Sequence, residues 1–182
     1  MDKLFNKKYR IPTARASWWD YSQNGIYFVT ICTQNRELFF GEIIDAEMKL
    51  SEIGKIACQC WEEISDRFPF VLLDAFVVMP NHIHGIIIID KEQPPIFNPH
   101  NQFSPQSENL ANIIRGYKAG VSSKAKNINS HFKWQTRFHD HIIRNSDSYT
   151  HITNYIHNNP FLWKDDKFYV PTIAPFDDIP QQ

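Results

Sequence analysis

Long hydrophobic runs are missing from this sequence. No stretch of its 182 residues approaches the roughly 18 consecutive apolar residues of a membrane-spanning helix. The N-terminal stretch MDKLFNKKYR also lacks the apolar segment of a secretory signal peptide. We therefore expect a cytoplasmic protein without a membrane partner.

Cysteine is scarce, and its placement excludes two common uses. The only three cysteines are Cys32, Cys58 and Cys60, which form no disulfide framework. Cys58 and Cys60 fall in a helical pattern, where a spacing of two residues turns the side chains about 200° apart. We therefore expect reduced cysteines that pack as small hydrophobic residues, and no thiolate metal site.

Acidic residues are absent from residues 109–139, although the net charge of the chain is only −1. Basic residues in that stretch are Arg115, Lys118, Lys124, Lys126, Lys133 and Arg137. A second basic segment, residues 1–18, is expected to form an arm. A basic surface on a nearly neutral protein suits a polyanion such as nucleic acid, although an ordinary solvated surface explains the charge equally well.

Hydrophobic periodicity predicts an alternation of strands and helices. Apolar, β-branched and aromatic residues indicate a strand at 25–33, and a helical stripe follows Ser51, a suitable N-cap. Two apolar strands on either side of Pro80-Asn81 predict a hairpin, because this pair favours a turn. The later elements are a helix at about 108–125, a strand at 138–144 and a helix from near Ser146 that ends before Pro160.

This order predicts one α+β domain with a ferredoxin-like β-α-β-β-α-β sandwich. An antiparallel sheet would be covered by helices, and the last helix would be an addition. Residues 91–107 are rich in proline, glutamine and asparagine and are expected to form a flexible insertion. Residues 165–182 contain several prolines and are expected to extend over the surface.

A pair of histidines begins one of the predicted strands, in the segment MPNHIHGIIII (79–89). Side chains two residues apart in a strand project from the same face, which places His82 and His84 side by side, about 7 Å apart along the backbone. Two imidazoles in this arrangement can bind one metal ion. Two hydrogen-bonded histidines without a metal would give the same pattern.

A second pair with the same spacing, His139 and His141, occurs in RFHDHIIR. Its surroundings in the sequence are polar and basic. We expect this pair to contact phosphate or solvent.

Oxygen ligands for the first pair are available in NYIHNNP, in the last helix. Tyr155 and Asn159 are four residues apart and share a helical face. Hard oxygen donors combined with imidazole favour Mg²⁺ or Mn²⁺. A tyrosine that packs its ring inward and an asparagine that ends a helix would produce the same letters.

Three segments together resemble a known family. VVMPNHIHGIIII, WQTRFHDHIIR and YIHNNP occur in the order found in single-tyrosine HUH transposases, most closely the REP-associated tyrosine transposase branch. The resemblance extends from about Trp19 to Trp163, and YFVTICTQNR is similar to the family's first strand. The insertion at 91–107 is a departure from the family's pattern.

The resemblance implies a metal-dependent single-stranded DNA endonuclease and strand transferase. His82 and His84 would be the HUH pair, Asn159 a third ligand of Mg²⁺ or Mn²⁺, and Tyr155 the nucleophile. Attack by Tyr155 at a hairpin-associated site would give a 5′-phosphotyrosine link and a free 3′-hydroxyl. The resemblance leaves both a monomer and a homodimer open.

Single-stranded or hairpin DNA would bind along the acid-free segment. The residues predicted to contact it are Arg115, Lys118, Lys124, Lys126, Lys133, Arg137 and Arg144. Trp134 and Phe138 would either stack on bases or pack in the core. Two other functions fit the same segments: a non-catalytic or domesticated single-stranded nucleic-acid-binding protein, and a metal-dependent hydrolase that uses water in place of Tyr155.

Overall fold

The computed structural model describes residues 19–92 and 108–171. The basic arm, nearly all of the predicted insertion and residues 172–182 lie outside the described residues. The strands are β1 (Gly25–Cys32), β2 (Gly41–Ile44), β3 (Glu47–Leu50), β4 (Val71–Met79), β5 (His82–Ile89) and β6 (His139–Ile143). The helices are α1 (Glu52–Arg67), α2 (Leu110–Ala125) and α3 (Ser146–Asn158).

The main sheet has four strands in the order β4-β5-β1-β6, and every neighbouring pair is antiparallel. With α1 between β1 and β4 and α2 between β5 and β6, this is the predicted ferredoxin-like arrangement. The fold class is therefore confirmed. The tight turn at Pro80-Asn81 joins β4 and β5 and places the start of β5 at one end of the sheet.

The helices α1 and α2 pack on one face of the sheet. Ser51 caps α1, as predicted, because its hydroxyl accepts a hydrogen bond from the amide of Gly54 at 3.0 Å. Trp61 of α1 lies so close to Gly85 that a Cβ atom there would come within 2.4 Å of its ring. All three cysteines are free, as expected.

A hairpin that the sequence did not predict, β2–β3, stands between β1 and α1. Its two-residue turn consists of Asp45 and Ala46, with φ angles of 51° and 61°. Turns of this kind require positive φ at both positions and usually use asparagine and glycine. Because neither residue occurs here, the sequence carries no signal for the turn.

The helix α3 packs on the opposite face of the sheet. Ile152 and Ile156 are buried with Ala75, Ile86 and Ile143. After α3 the chain turns back in a short 3-10 helix, Trp163–Asp165. No helix in the described ranges is long and apolar enough to span a membrane.

The chain after α3 supplies aromatic side chains to one end of the sheet, and of the predicted extended tail, 165–182, only residues 165–171 are described. Trp163 and Phe168 are buried in a small apolar cluster with Cys32 and Met79, at the end of the sheet where β5 begins. Burial of these two large aromatic side chains against the end of the sheet is favourable because it removes their apolar surface from water.

Candidate metal and nucleophile site

The histidine pair lies at the start of β5, on the face of the sheet that carries α3. His84 is paired with Thr30 in β1 and with Val77 in β4, and His82 begins the strand after the Pro80-Asn81 turn. The relative exposures of His82 and His84 are 0% and 1%. Both imidazoles are therefore removed from water and depend on partners inside the protein.

Neighbouring side chains fix the outer ring nitrogen of each imidazole. The Asn81 amide nitrogen donates to the carbonyls of Phe168 and Arg36, at 2.8 and 3.3 Å, which directs its oxygen at His82 Nδ1, 2.9 Å away. His82 Nδ1 therefore carries the proton, and its Nε2 keeps a lone pair. His84 Nδ1 lies 2.9 Å from the Thr30 hydroxyl, which orients the second ring.

The inner nitrogens face each other, with His82 Nε2 and His84 Nε2 3.0 Å apart. Burial lowers the pKa of both imidazoles, that of His84 to about 3. Both are therefore neutral at pH 7, which is the form that binds a metal ion.

Tyr155 lies beside the pair, on α3. Its hydroxyl oxygen is 3.2 Å from His84 Nε2 and donates a hydrogen bond to a carboxylate oxygen of Asp166, also at 3.2 Å. The Tyr155 ring meets Phe28 edge to face and is half-buried. Burial, followed by the negative charge of Asp166, raises the pKa of the Tyr155 phenol to about 12.

Asn159 lies one helical turn after Tyr155, at the C-cap of α3, and is 2% exposed. Its amide nitrogen donates to Asp166 at 3.3 Å. Its oxygen Oδ1 is buried and has no hydrogen-bond partner in the part of the chain that the structure describes. Such an atom needs an explanation, and coordination of a cation would give it a partner.

Asp166 is the member of the site that the sequence analysis missed. Potential ligand atoms of His82, His84 and Asp166 all lie within 4.8 Å of one another. Asp166 Oδ1, the carboxylate oxygen that does not contact Tyr155, accepts a hydrogen bond from the amide of Phe168 at 2.6 Å, which holds the Asp166 side chain in place. Two imidazole nitrogens and a carboxylate oxygen therefore lie close together, with Asn159 hydrogen-bonded to the same carboxylate, and these donor types fit Mg²⁺ or Mn²⁺.

The segment that supplies Asp166 also covers the site. The Phe168 ring lies 4.6 Å from the ring of His82 and 6.1 Å from that of His84, measured between centroids. The Arg36 guanidinium carbon lies over the Phe168 ring, 3.9 Å from its centroid. A phosphate group reaches the imidazoles only when this segment moves aside.

The known proteins that this chain resembles include a transposase. No family model matches the chain. An uncharacterized protein of Haemophilus influenzae is 43% identical over 164 residues, which are 86% of this chain and 91% of that protein. The REP-associated tyrosine transposase of Escherichia coli is 26% identical over 140 residues, 77% of this chain and 68% of the transposase.

A solved structure has the same fold. It is a REP-associated tyrosine transposase bound to a REP hairpin, with a TM-score of 0.58 and 20% identity over 83% of this chain and 73% of that one. The chain is thus similar in sequence to a REP-associated tyrosine transposase and shares the fold of one.

The basic residues predicted to bind DNA differ in their exposure. Two of the lysines are engaged within the protein. Lys118 donates to the carbonyls of Gln135 and Arg137 at 2.7 and 3.0 Å, and burial lowers its pKa to about 8. Lys124 forms an ion pair with Glu63 at 2.9 Å. Arg115, Lys126, Lys133, Arg137 and Arg144 are exposed.

Of the two aromatic residues in the same segment, Trp134 packs mainly inward. Its ring contacts Phe40, Tyr117 and Phe132, and its indole nitrogen donates to the carbonyl of Lys118 at 3.1 Å. Phe138 is also packed against the core. Neither arrangement resembles a free stacking platform for bases.

Proposed function

We propose that this protein is a metal-dependent single-stranded DNA endonuclease and strand transferase of the transposase type, with Tyr155 as the nucleophile. One observation carries the proposal: the Tyr155 hydroxyl is 3.2 Å from His84 Nε2, beside a cluster of two imidazoles and a carboxylate. A phenol next to a cluster of metal-binding donors suits covalent attack on a phosphodiester.

The reaction balances with groups that the chain supplies. The Tyr155 oxygen attacks phosphorus, the bond from phosphorus to the 3′ oxygen breaks, and a 5′-phosphotyrosine link forms. Asp166, which already accepts the phenol's hydrogen bond, receives its proton, and that proton then passes through water to the departing 3′ oxygen. The new bond retains the energy of the phosphodiester, so a 3′-hydroxyl can reverse the step and join strands.

A divalent cation would be held by His82, His84, Asp166 and the unpartnered oxygen of Asn159. When bound there, Mg²⁺ or Mn²⁺ would neutralise charge on the phosphate and oppose the influences that raise the pKa of Tyr155. Asn81 and Thr30 keep both imidazoles oriented for this role.

The DNA substrate would be a single strand next to a hairpin, in line with the hairpin-bound structure of the family. Its phosphates would meet the exposed basic residues, which are Arg115, Lys126, Lys133, Arg137 and Arg144. Lys118 and Lys124 would bind DNA only after they exchange their present partners.

A second function, binding of single-stranded nucleic acid without cleavage, is favoured by one observation. The two imidazoles are only 0% and 1% exposed beneath Phe168, so that no phosphate touches them in this arrangement. A chain that never opened this cover would bind DNA without cutting it.

Covalent capture separates these functions. Stem-loop oligonucleotides with single-stranded arms are incubated with the protein and Mn²⁺, and adducts are resolved on a denaturing gel. Wild type should form a protein–DNA adduct, Tyr155→Phe should form none, and Tyr149→Phe, a matched change in the same helix, should still form it.

The other outcomes each identify a rival. DNA binding without an adduct would support the binding protein. Free 5′-phosphate ends that persist in Tyr155→Phe would indicate a hydrolase that activates water. An adduct that persists in Tyr155→Phe would mean that another residue is the nucleophile.

A further inference from the structure

The second histidine pair shares a sheet face with the first. Thr30 in β1 is the pairing partner of His84 on one side and of His139 on the other. Cross-strand partners point to the same face, and His141 follows His139 by two residues. Ile143, two residues further, is buried against α3, which confirms that this is the face of the candidate site.

The helix α3 covers this face unevenly. It begins just after the end of β6 that lies far from Thr30, and in its first turn Tyr149 donates to Asp74 in β4. The helix thus runs towards β4 and β5, and within the described ranges 19–92 and 108–171 it leaves the start of β6 exposed. His139 and His141 are exposed, and His139 is two strand spacings, roughly 10 Å, from His84.

The charges beside this open strip favour an anion. The exposed residues Arg137 and Arg144 lie just before and just after β6. Asp140 alternates to the opposite face with Ile142, which is buried in the core under α1 and α2. Asp147, in the first turn of α3, lies at the end of β6 that is far from His84.

We propose that the single-stranded DNA adjoining the scissile phosphate crosses the start of β6, where His139 and His141 donate hydrogen bonds to its backbone phosphates. This inference rests on the proposed function, because it places one end of the strand at Tyr155. Two imidazoles two residues apart on an open strand present their N–H groups in a row, and an extended phosphodiester chain offers its acceptors in a row.

Binding is measured in a Tyr155→Phe background, so that cleavage does not interfere. The probes are a stem-loop with single-stranded arms and an unstructured oligothymidine. The double change His139→Ala with His141→Ala should raise Kd about five- to tenfold for both probes. His151→Ala, which removes an exposed histidine from α3, should leave Kd unchanged within about twofold.

Single methylphosphonate linkages, placed one at a time along the arm of the stem-loop, then locate the contact. One or two neutral linkages near the scissile position should weaken binding by the histidine-containing protein and have no further effect in the double variant. Equal sensitivity of both proteins at every linkage would overturn the path across β6. Unchanged affinity of the double variant, or no measurable binding of either probe, would overturn it as well.

The adduct assay, run in parallel with Tyr155 intact, keeps the two proposals separable. A missing adduct together with histidine-dependent affinity would reject the nuclease and retain the path. An adduct of wild type together with unchanged affinity of the double variant would reject only the path.

Discussion

Two histidine pairs with identical spacing occupy the same face of one sheet and have opposite surroundings. His82 and His84 lie in β5, between two strands and beneath α3 and Phe168, and are almost fully buried. His139 and His141 lie on the edge strand β6 and are exposed. The spacing of the two pairs is the same, so the difference in their exposure to water comes from the position of each strand in the sheet.

Burial of the first pair means that its ring nitrogens depend on partners inside the protein. Each of its Nδ1 atoms has one protein partner, Asn81 or Thr30, while the two Nε2 atoms face each other. Buried polar groups cost free energy unless they are satisfied, and a shared cation would bind both nitrogens and supply the partner that the Asn159 oxygen lacks among the described residues. The exposed pair has water as its partner and has no such need.

The largest expected difference between the pairs is in cleavage. His84→Ala should reduce the single-turnover rate of adduct formation by about 10³-fold or more and leave most DNA affinity, because it removes a metal ligand. His141→Ala should reduce that rate by no more than about tenfold, through weaker binding. Circular dichroism checks that each variant is folded, and equal losses would contradict the division between the pairs.

A change to the carboxylate tests whether the buried pair is part of a larger metal site. Asp166→Asn should weaken Mn²⁺ binding, measured by calorimetry or by the EPR signal of the free ion, by about 10- to 100-fold, because a charged oxygen donor is lost. Asp165→Asn, the exposed neighbour, serves as the matched control and should bind Mn²⁺ normally. Equal affinities of the two variants would remove Asp166 from the site.

Removing the cover should make the buried pair accessible. Among these four histidines, diethyl pyrocarbonate should modify only His139 and His141 in the wild type, because the other two are 0% and 1% exposed. In Phe168→Ala, His82 and His84 should react as well, and the free energy of unfolding should fall by about 3–5 kcal/mol. Continued protection in a folded variant would show that Phe168 is not the cover.

The pH dependence of stability tests the burial of the first pair. Burial lowers the pKa of both His82 and His84 below the ordinary value of 6.5. Below pH 6.5 the unfolded chain therefore binds protons that the folded protein does not bind. The free energy of unfolding should decrease as the pH falls through this range. Each histidine contributes at most about 1.4 kcal/mol per pH unit.

His84→Gln tests the assignment of that pH dependence. Chemical denaturation in the absence of metal should show a shallower decrease between pH 6.5 and 4 in this variant than in the wild type. Parallel curves for the two proteins would mean that the pH dependence arises from other groups.

Local pattern was enough to predict much of this molecule. Strand alternation placed His82 and His84 together, and the four-residue spacing of a helix placed Tyr155 and Asn159 on one face. The order of strands and helices predicted the ferredoxin-like sheet. These features depend on periodicity or on standard connections, which a single sequence records.

Features that depend on long-range packing were not predictable in the same way. Asp166 enters the site only because Trp163 and Phe168 fold back onto the end of the sheet. Lys118 turns towards two carbonyls that are 17 and 19 residues away in the chain. The turn at Asp45 and Ala46 adopts a left-handed conformation that this pair of residue types does not predict.

The most direct test of the account is to locate the DNA on the protein after a reaction with Mn²⁺. The adduct is digested with trypsin and nuclease, and the nucleotide-bearing peptide is fragmented in a mass spectrometer, which separates Tyr149 from Tyr155. We expect a nucleotide joined through its 5′-phosphate to Tyr155. A nucleotide on any other residue would contradict the assignment of Tyr155 beside the buried histidines.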